Sequence, residues 1–256
     1  MEFTKTFNQL KQVFSLNSEF IPISDSNIHI RIMKFTSNSS LVLPSNGIDE
    51  QTYFHQAIAT NDGAILENKT FSYPVFVPNS NNKHGKAIIL LHGLNERSWL
   101  KYSPWAYNLA ITTNRPVILF PISFHMNRSP ENWANPRAMM PLLSKRQVSG
   151  SPEMLTFANV ALSQRLSDDP LRFFASGRQS AEDIVQLLEI IKNGEYPLLE
   201  KNSQVDFFSY SIGAFLSQIL FLANPKGLLT NSRLFMFCGG AHFSEMFGTS
   251  RLIMDS

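Results

Sequence analysis

Ala87-Ile88-Ile89-Leu90-Leu91 is an unbroken apolar run, entered from Lys86 and closed by His92-Gly93. A strand with one wet face alternates polar and apolar residues, whereas a run that is apolar at every position suits a strand covered on both faces. Pro116-Val117-Ile118-Leu119-Phe120-Pro121-Ile122 repeats the pattern downstream. Between the two runs, Ser103-Pro104 offers an N-cap with proline at the first helical position, and Trp105, Leu109 and Thr112 carry a helix to Asn114. Strand, helix and strand in this order imply a parallel crossover.

The ladder continues with a helix over Ser180 to Lys192, whose apolar face is Ile184, Leu187, Leu188 and Ile191 and whose end is Asn193-Gly194. Glu182 and Asp183 are expected on its outward, solvated side. A strand over Val205 to Tyr210, a helix over Ile212 to Leu222 and a strand over Leu234 to Cys238 follow. Upstream, residues 29 to 35 and Phe71 to Val77 read as strands, the second near a sheet edge because of Pro74. Residues 50 to 58 read as a short helix, and Phe3, Phe7, Leu10 and Phe14 fall at helical spacing.

These elements predict one α/β domain over 1-256 with a doubly wound, mostly parallel sheet. Residues 1-70 form an N-terminal extension and first strand. Residues 124-176 hold several prolines, Trp133, Met139 and Met140, with helix predicted around Leu155 to Leu166. That segment reads as a lid-like insertion whose Trp133 and methionines line a pocket or fill core.

Lys and Arg number 22 against 20 Asp and Glu, and the cations are scattered, so nucleic acid is not an expected partner. The single cysteine, Cys238, excludes an intramolecular disulfide and reads as a buried thiol in an apolar run. Lysines and glutamines interrupt the N-terminal apolar positions, so no signal-peptide core is visible, and no run reaches the ~18 apolar residues of a membrane span. The cytoplasm is the expected compartment. No HExxH, paired CxxC, phosphate loop or EF-hand pattern occurs, so neither a metal nor a cofactor is expected.

In a doubly wound sheet, sites form beyond the carboxyl ends of the strands. Two marked turns fall there: His92-Gly93-Leu94 and Ser209-Tyr210-Ser211-Ile212-Gly213. A serine on a sharp strand-to-helix turn needs small residues two places either side, and Ser209 and Gly213 meet that need. Ser211 is then either a nucleophile or a cap for the helix that begins at Ile212. The N–H of Ile212 and that of Leu94 would stabilise a developing oxyanion, with Gly93 allowing close backbone approach.

LLHGLNERSW, PVILFPIS and FFSYSIGAFLSQIL together resemble the α/β-hydrolase superfamily, over roughly residues 70 to 245. The resemblance implies Ser211 as nucleophile, Leu94 and Ile212 as oxyanion donors, and a Ser, acid, His order along the chain. It implies that His92 shapes the loop rather than serving as base. Three features depart from the family pattern: Ser209 replaces a glycine, the connection from Ser123 to Gln204 is long, and the strands that usually precede the acid and histidine are missing before Ser256.

His242 is the only histidine after Ser211 and is the candidate base, or else a loop or pocket-wall residue. The last predicted strand is apolar on both faces, so a neighbour is expected from missing sequence, from the N-terminal segment or by self-association. Two functions remain in play: a serine hydrolase acting on an ester or related small-molecule acyl substrate, and a non-catalytic binding or assembly module.

Overall fold

The computed structural model describes residues 3–40, 62–149 and 157–240. Its N-terminal elements are α1 (Phe3–Val13), β1 (Phe20–Pro22) and β2 (Ile28–Thr36). After these come α2 (Leu66–Lys69), β3 (Thr70–Pro78), β4 (His84–Leu91), α3 (Ser103–Thr113) and β5 (Val117–Leu119). The chain continues through α4 (Pro136–Ser149), α5 (Phe157–Asp168), α6 (Leu171–Asn193), β6 (Leu199–Tyr210), α7 (Ile212–Ala223) and β7 (Leu234–Phe237).

The strands form one seven-stranded sheet in the order β1-β2-β3-β5-β4-β6-β7. β5, β4, β6 and β7 are mutually parallel, while β3 runs antiparallel to β5 and β2 antiparallel to β3. The result is an α/β architecture, mixed but mostly parallel.

The uninterrupted apolar text of β4 follows from this position. Ala87, Ile89 and Leu91 face one side, where Ile184, Leu187 and Leu188 of α6 and Leu216 and Leu220 of α7 cover them. Ile88 and Leu90 face the other, against Leu10 of α1 and Ala106 and Tyr107 of α3. Helices therefore lie on both faces, and each buried aliphatic contributes about 1.5–3 kcal/mol of transfer free energy. A separate small core, built on Ile65, Trp133, Met139, Leu142, Leu143 and Val160, holds α4 and α5 together.

Several expectations are corrected. Pro74 does not mark an edge: β3 lies between β2 and β5, but β5 pairs only with Val75 and Phe76, so Pro74 stands outside that short ladder. α6 begins at Leu171, well before Ser180, and α4 occupies a stretch where no helix was predicted. Met139 is buried in the small core while Met140 is exposed. Cys238 is exposed, because it follows β7 at the last position in the sheet order. The short helix read over 50 to 58 lies outside the described residues.

Asp183 is the largest correction. It is fully buried and pairs with the fully buried Arg128 at 2.7 Å. Arg128 also donates to Asn68 and to the Pro121 carbonyl and lies 4.1 Å over the Phe71 ring, while the Ser37 hydroxyl donates to Asp183. Burial pulls the carboxyl pKa up and the guanidinium pKa down, and the pairing opposes both. Asp183 precedes Leu187 by one helical turn and lies on the buried stripe itself, which only a matching buried cation makes tolerable.

Gly177 lies inside α6 with open space where a Cβ would be. Gly177→Ala is expected to raise stability by ~0.5–1 kcal/mol, because alanine loses less backbone freedom on entering a helix. The urea midpoint should rise with an unchanged slope, and a lower midpoint would refute the expectation.

Candidate active site

At the carboxyl end of β6 the backbone reverses into α7 at one residue. Ser211 has φ 54° and ψ −119°, a combination that costs a non-glycine residue on the order of 1–3 kcal/mol. Its carbonyl accepts from Ala214 N at 2.9 Å and Phe215 N at 3.2 Å, which starts the helix, and its N–H donates to the Phe237 carbonyl of β7 at 3.1 Å. The side chain makes no capping hydrogen bond. A helix cap therefore does not account for Ser211.

The residues two places either side fix this turn. Gly213 N donates to the His92 carbonyl at 3.2 Å, and a Cβ at Gly213 would stand 2.7 Å from Leu91 Cβ and 2.9 Å from that carbonyl oxygen. Only glycine lets α7 approach the end of β4 so closely. Ser209, fully buried, shares a 2.7 Å hydrogen bond with Ser217 of α7 and so ties strand to helix beneath the turn.

His92 is buried with both ring nitrogens engaged: Nδ1–H donates to the Gly93 carbonyl at 2.8 Å and Nε2 accepts from Ile122 N at 2.9 Å. Burial, followed by the neighbouring His125, holds its pKa well below the usual imidazole value. The neutral ring bridges the loops after β4 and β5. Gly93 N donates to the Tyr102 hydroxyl at 2.9 Å, and the Tyr210 ring passes so near that a Cβ at Gly93 would meet it at 2.9 Å. Tyr102 passes the link on to Glu96 at 2.9 Å.

Beside the turn lies a cavity of about 500 Å³ whose wall includes Leu94, Ile122, Phe124, Trp133, Ile212 and Phe215. Ser211 is one residue outside that wall. Its polar members include Arg97, His125, Arg165 and Asp62. Arg165 pairs with Asp62 and packs 4.2 Å over the Trp133 ring, and Arg172 Nε reaches Asp62 at 3.4 Å, an ion-pair distance without hydrogen-bond alignment. Among the described residues no group of three or more His, Cys, Asp or Glu is placed to hold a metal ion, and no helix is long and apolar enough to cross a membrane.

Along residues 1–256 the chain matches the model of a family of unknown function, DUF6051. The chain belongs to that family. Among solved structures, this DUF6051 protein is similar to one from Bacteroides fragilis described as a "putative acetyl xylan esterase", with a TM-score of 0.42 and 11% identity over 85% of this chain and 48% of that one. It spans about half the length of that protein. No curated protein matches it significantly.

The fold of this DUF6051 member sets Ser209 opposite Leu91, Gly213 against the His92 carbonyl and Tyr210 against Gly93, and puts Leu94 and Ile212, the residue after Ser211, in the wall of one cavity. His242 lies outside the described residues. Two further side chains in the cavity wall, Arg97 and His125, went unread in the sequence. His125 lies in the loop that follows β5, at the same end of the sheet as His92 and Ser211. Arg97 lies within the same LNERSW segment as Leu94.

Proposed function

We propose that this protein is a serine hydrolase of the α/β-hydrolase type, cleaving an ester or related acyl bond of a small molecule through an acyl-enzyme. The observation that carries the reading is the backbone of Ser211: strain at a single non-glycine residue between β6 and α7, with a side chain that caps nothing. The order and direction of β3, β5, β4, β6 and β7 support it, as does the adjoining apolar cavity. In this reading Ser211 Oγ bonds to the acyl carbon while a base takes its proton. The alcohol leaves with a proton, and water then releases the acid.

The amides of Leu94 and Ile212 are the oxyanion donors, and Ile212 gains from the positive end of the α7 dipole. His92 positions the Leu94 loop and is no base, as both of its nitrogens are committed to backbone groups. His242 is the proposed base. α5 and the start of α6, which contribute Leu162, Leu166 and Phe173 to the cavity wall, are the proposed lid.

Intact-mass analysis after exposure to a fluorophosphonate probe tests this reading. One adduct is expected on the unaltered chain and none on Ser211→Ala. A chain that takes no label would favour the second reading, an assembly module, for which the observation is β7: Phe235, Met236 and Phe237 remain 56%, 47% and 44% exposed at the end of the sheet order.

A further inference from the structure

Two buried polar atoms in residues lining the cavity, Arg97 Nε and His125 Nε2, have no hydrogen-bond partner among the described residues. Each belongs to a side chain held in place by its other nitrogens. Arg97 Nη1 donates to Ser129 Oγ at 2.8 Å and Nη2 to Asn95 Oδ1 at 3.0 Å. His125, only 6% exposed, donates from Nδ1 to the Ser123 carbonyl at 2.8 Å, which leaves Nε2 as the idle nitrogen. Buried polar atoms are normally satisfied, so two idle ones on residues lining one cavity call for a ligand or water.

Charge decides which ligand. Arg165 and Arg172 share Asp62, but the hydrogen-bond acceptors of Arg97 are a hydroxyl and an amide, both neutral. Burial lowers its pKa, to about 10, with no carboxylate among the described residues opposing the shift. A desolvated cation without a counter-charge is unfavourable until an anion arrives. Once Nε2 of the imidazole is protonated, cation and ring together offer two donors to two oxygens, which suits a carboxylate better than a phosphate dianion.

We propose that Arg97 and His125 form a subsite for a carboxylate, and that the substrate is an ester carrying a second, ionised carboxyl group, such as the half-ester of a dicarboxylic acid. The choice of ester rests on the hydrolase reading above; the subsite does not. Ile122, Phe124, Leu94 and Phe215 line the remainder with apolar surface fit for a methylene chain. β4 separates β5 from β6, so His125 and Ser211 leave the sheet on opposite flanks of β4, the carboxylate on one and the reacting carbonyl on the other.

The seated anion also changes His125. In the free protein burial, followed by the charges of Arg97 and Arg128, lowers its pKa to about 4, and the other ring facing it is the neutral His92 at 5.3 Å between centroids. A carboxylate offsets Arg97 and lets Nε2 take up a proton and donate it to the ligand. Binding is therefore coupled to proton uptake.

The test uses amide analogues, which an esterase turns over slowly: N-methylglutaramate, with one carboxylate, against the neutral N,N′-dimethylglutaramide. Calorimetry on the unaltered chain should show at least tenfold tighter binding of the glutaramate, with proton uptake read from buffers of different ionisation heat. Arg97→Gln should erase the preference and Arg97→Lys should keep part of it. Equal binding of the two compounds, binding of neither, or a preference that survives in folded Arg97→Gln would each overturn the subsite. The comparison on the unaltered chain stands even where a variant fails to fold. Ser211 labelling without carboxylate preference would sink the subsite alone; preference without labelling would sink the hydrolase reading alone.

Discussion

Arg128→Met is expected to destabilise the protein by ~3–5 kcal/mol, the largest single-site loss this structure implies. The side chain is wholly buried, and its removal leaves Asp183 with the Ser37 hydroxyl as its remaining side-chain partner among the described residues. It also frees the carbonyls of Asn68 and Pro121, which Arg128 joins to α6. Burial already pushes the Asp183 carboxyl upward, and the opposing cation would be gone, so its folded pKa would rise further. A carboxyl whose folded pKa exceeds its unfolded value destabilises the native state increasingly as pH rises between the two. The deficit should then be smaller at pH 4 than at pH 7. Adding Asp183→Leu should recover much of the loss, since an apolar pair avoids the uncompensated charge. Urea denaturation of the single and double variants measures this directly, and a single-variant loss below ~1 kcal/mol would contradict it.

The same pair shows where reading the sequence reached its limit. β4 and β5 were legible because the runs Ala87 to Leu91 and Val117 to Leu119, covered on both faces, are apolar at every residue, and α1 because its apolar positions keep helical spacing. Asp183 was misread because a charge suggests solvent, although Leu187 and Ile191 follow it on the same stripe. α4 went unseen because Pro136 and Pro141 lie within its span, and its burial depends on α5 and Ile65, which are distant in the sequence. The turn at Ser211 was visible through its small neighbours. Arg97 and His125 were not, since nothing local distinguishes an idle buried nitrogen from a satisfied one.

Gly213→Ala is expected to cost on the order of 2–3 kcal/mol and to lower Tm by roughly 5–10 °C. Its added methyl would fall 2.7 Å from Leu91 Cβ, 2.9 Å from the His92 carbonyl oxygen and 3.0 Å from the Leu91 carbonyl carbon. None of these is the end of a flexible chain. β4 is locked between β5 and β6 by parallel ladders, so the strain is relieved by moving α7 outward and giving up the bond from Gly213 N to His92. Ile212 moves with α7 while Leu94 stays with β4, which separates the two proposed oxyanion donors. Fluorophosphonate labelling should therefore slow by more than tenfold even at a temperature where the variant is fully folded. Stability loss with an unchanged labelling rate would mean that Gly213 serves packing alone, and that the two loops do not act together on one oxyanion.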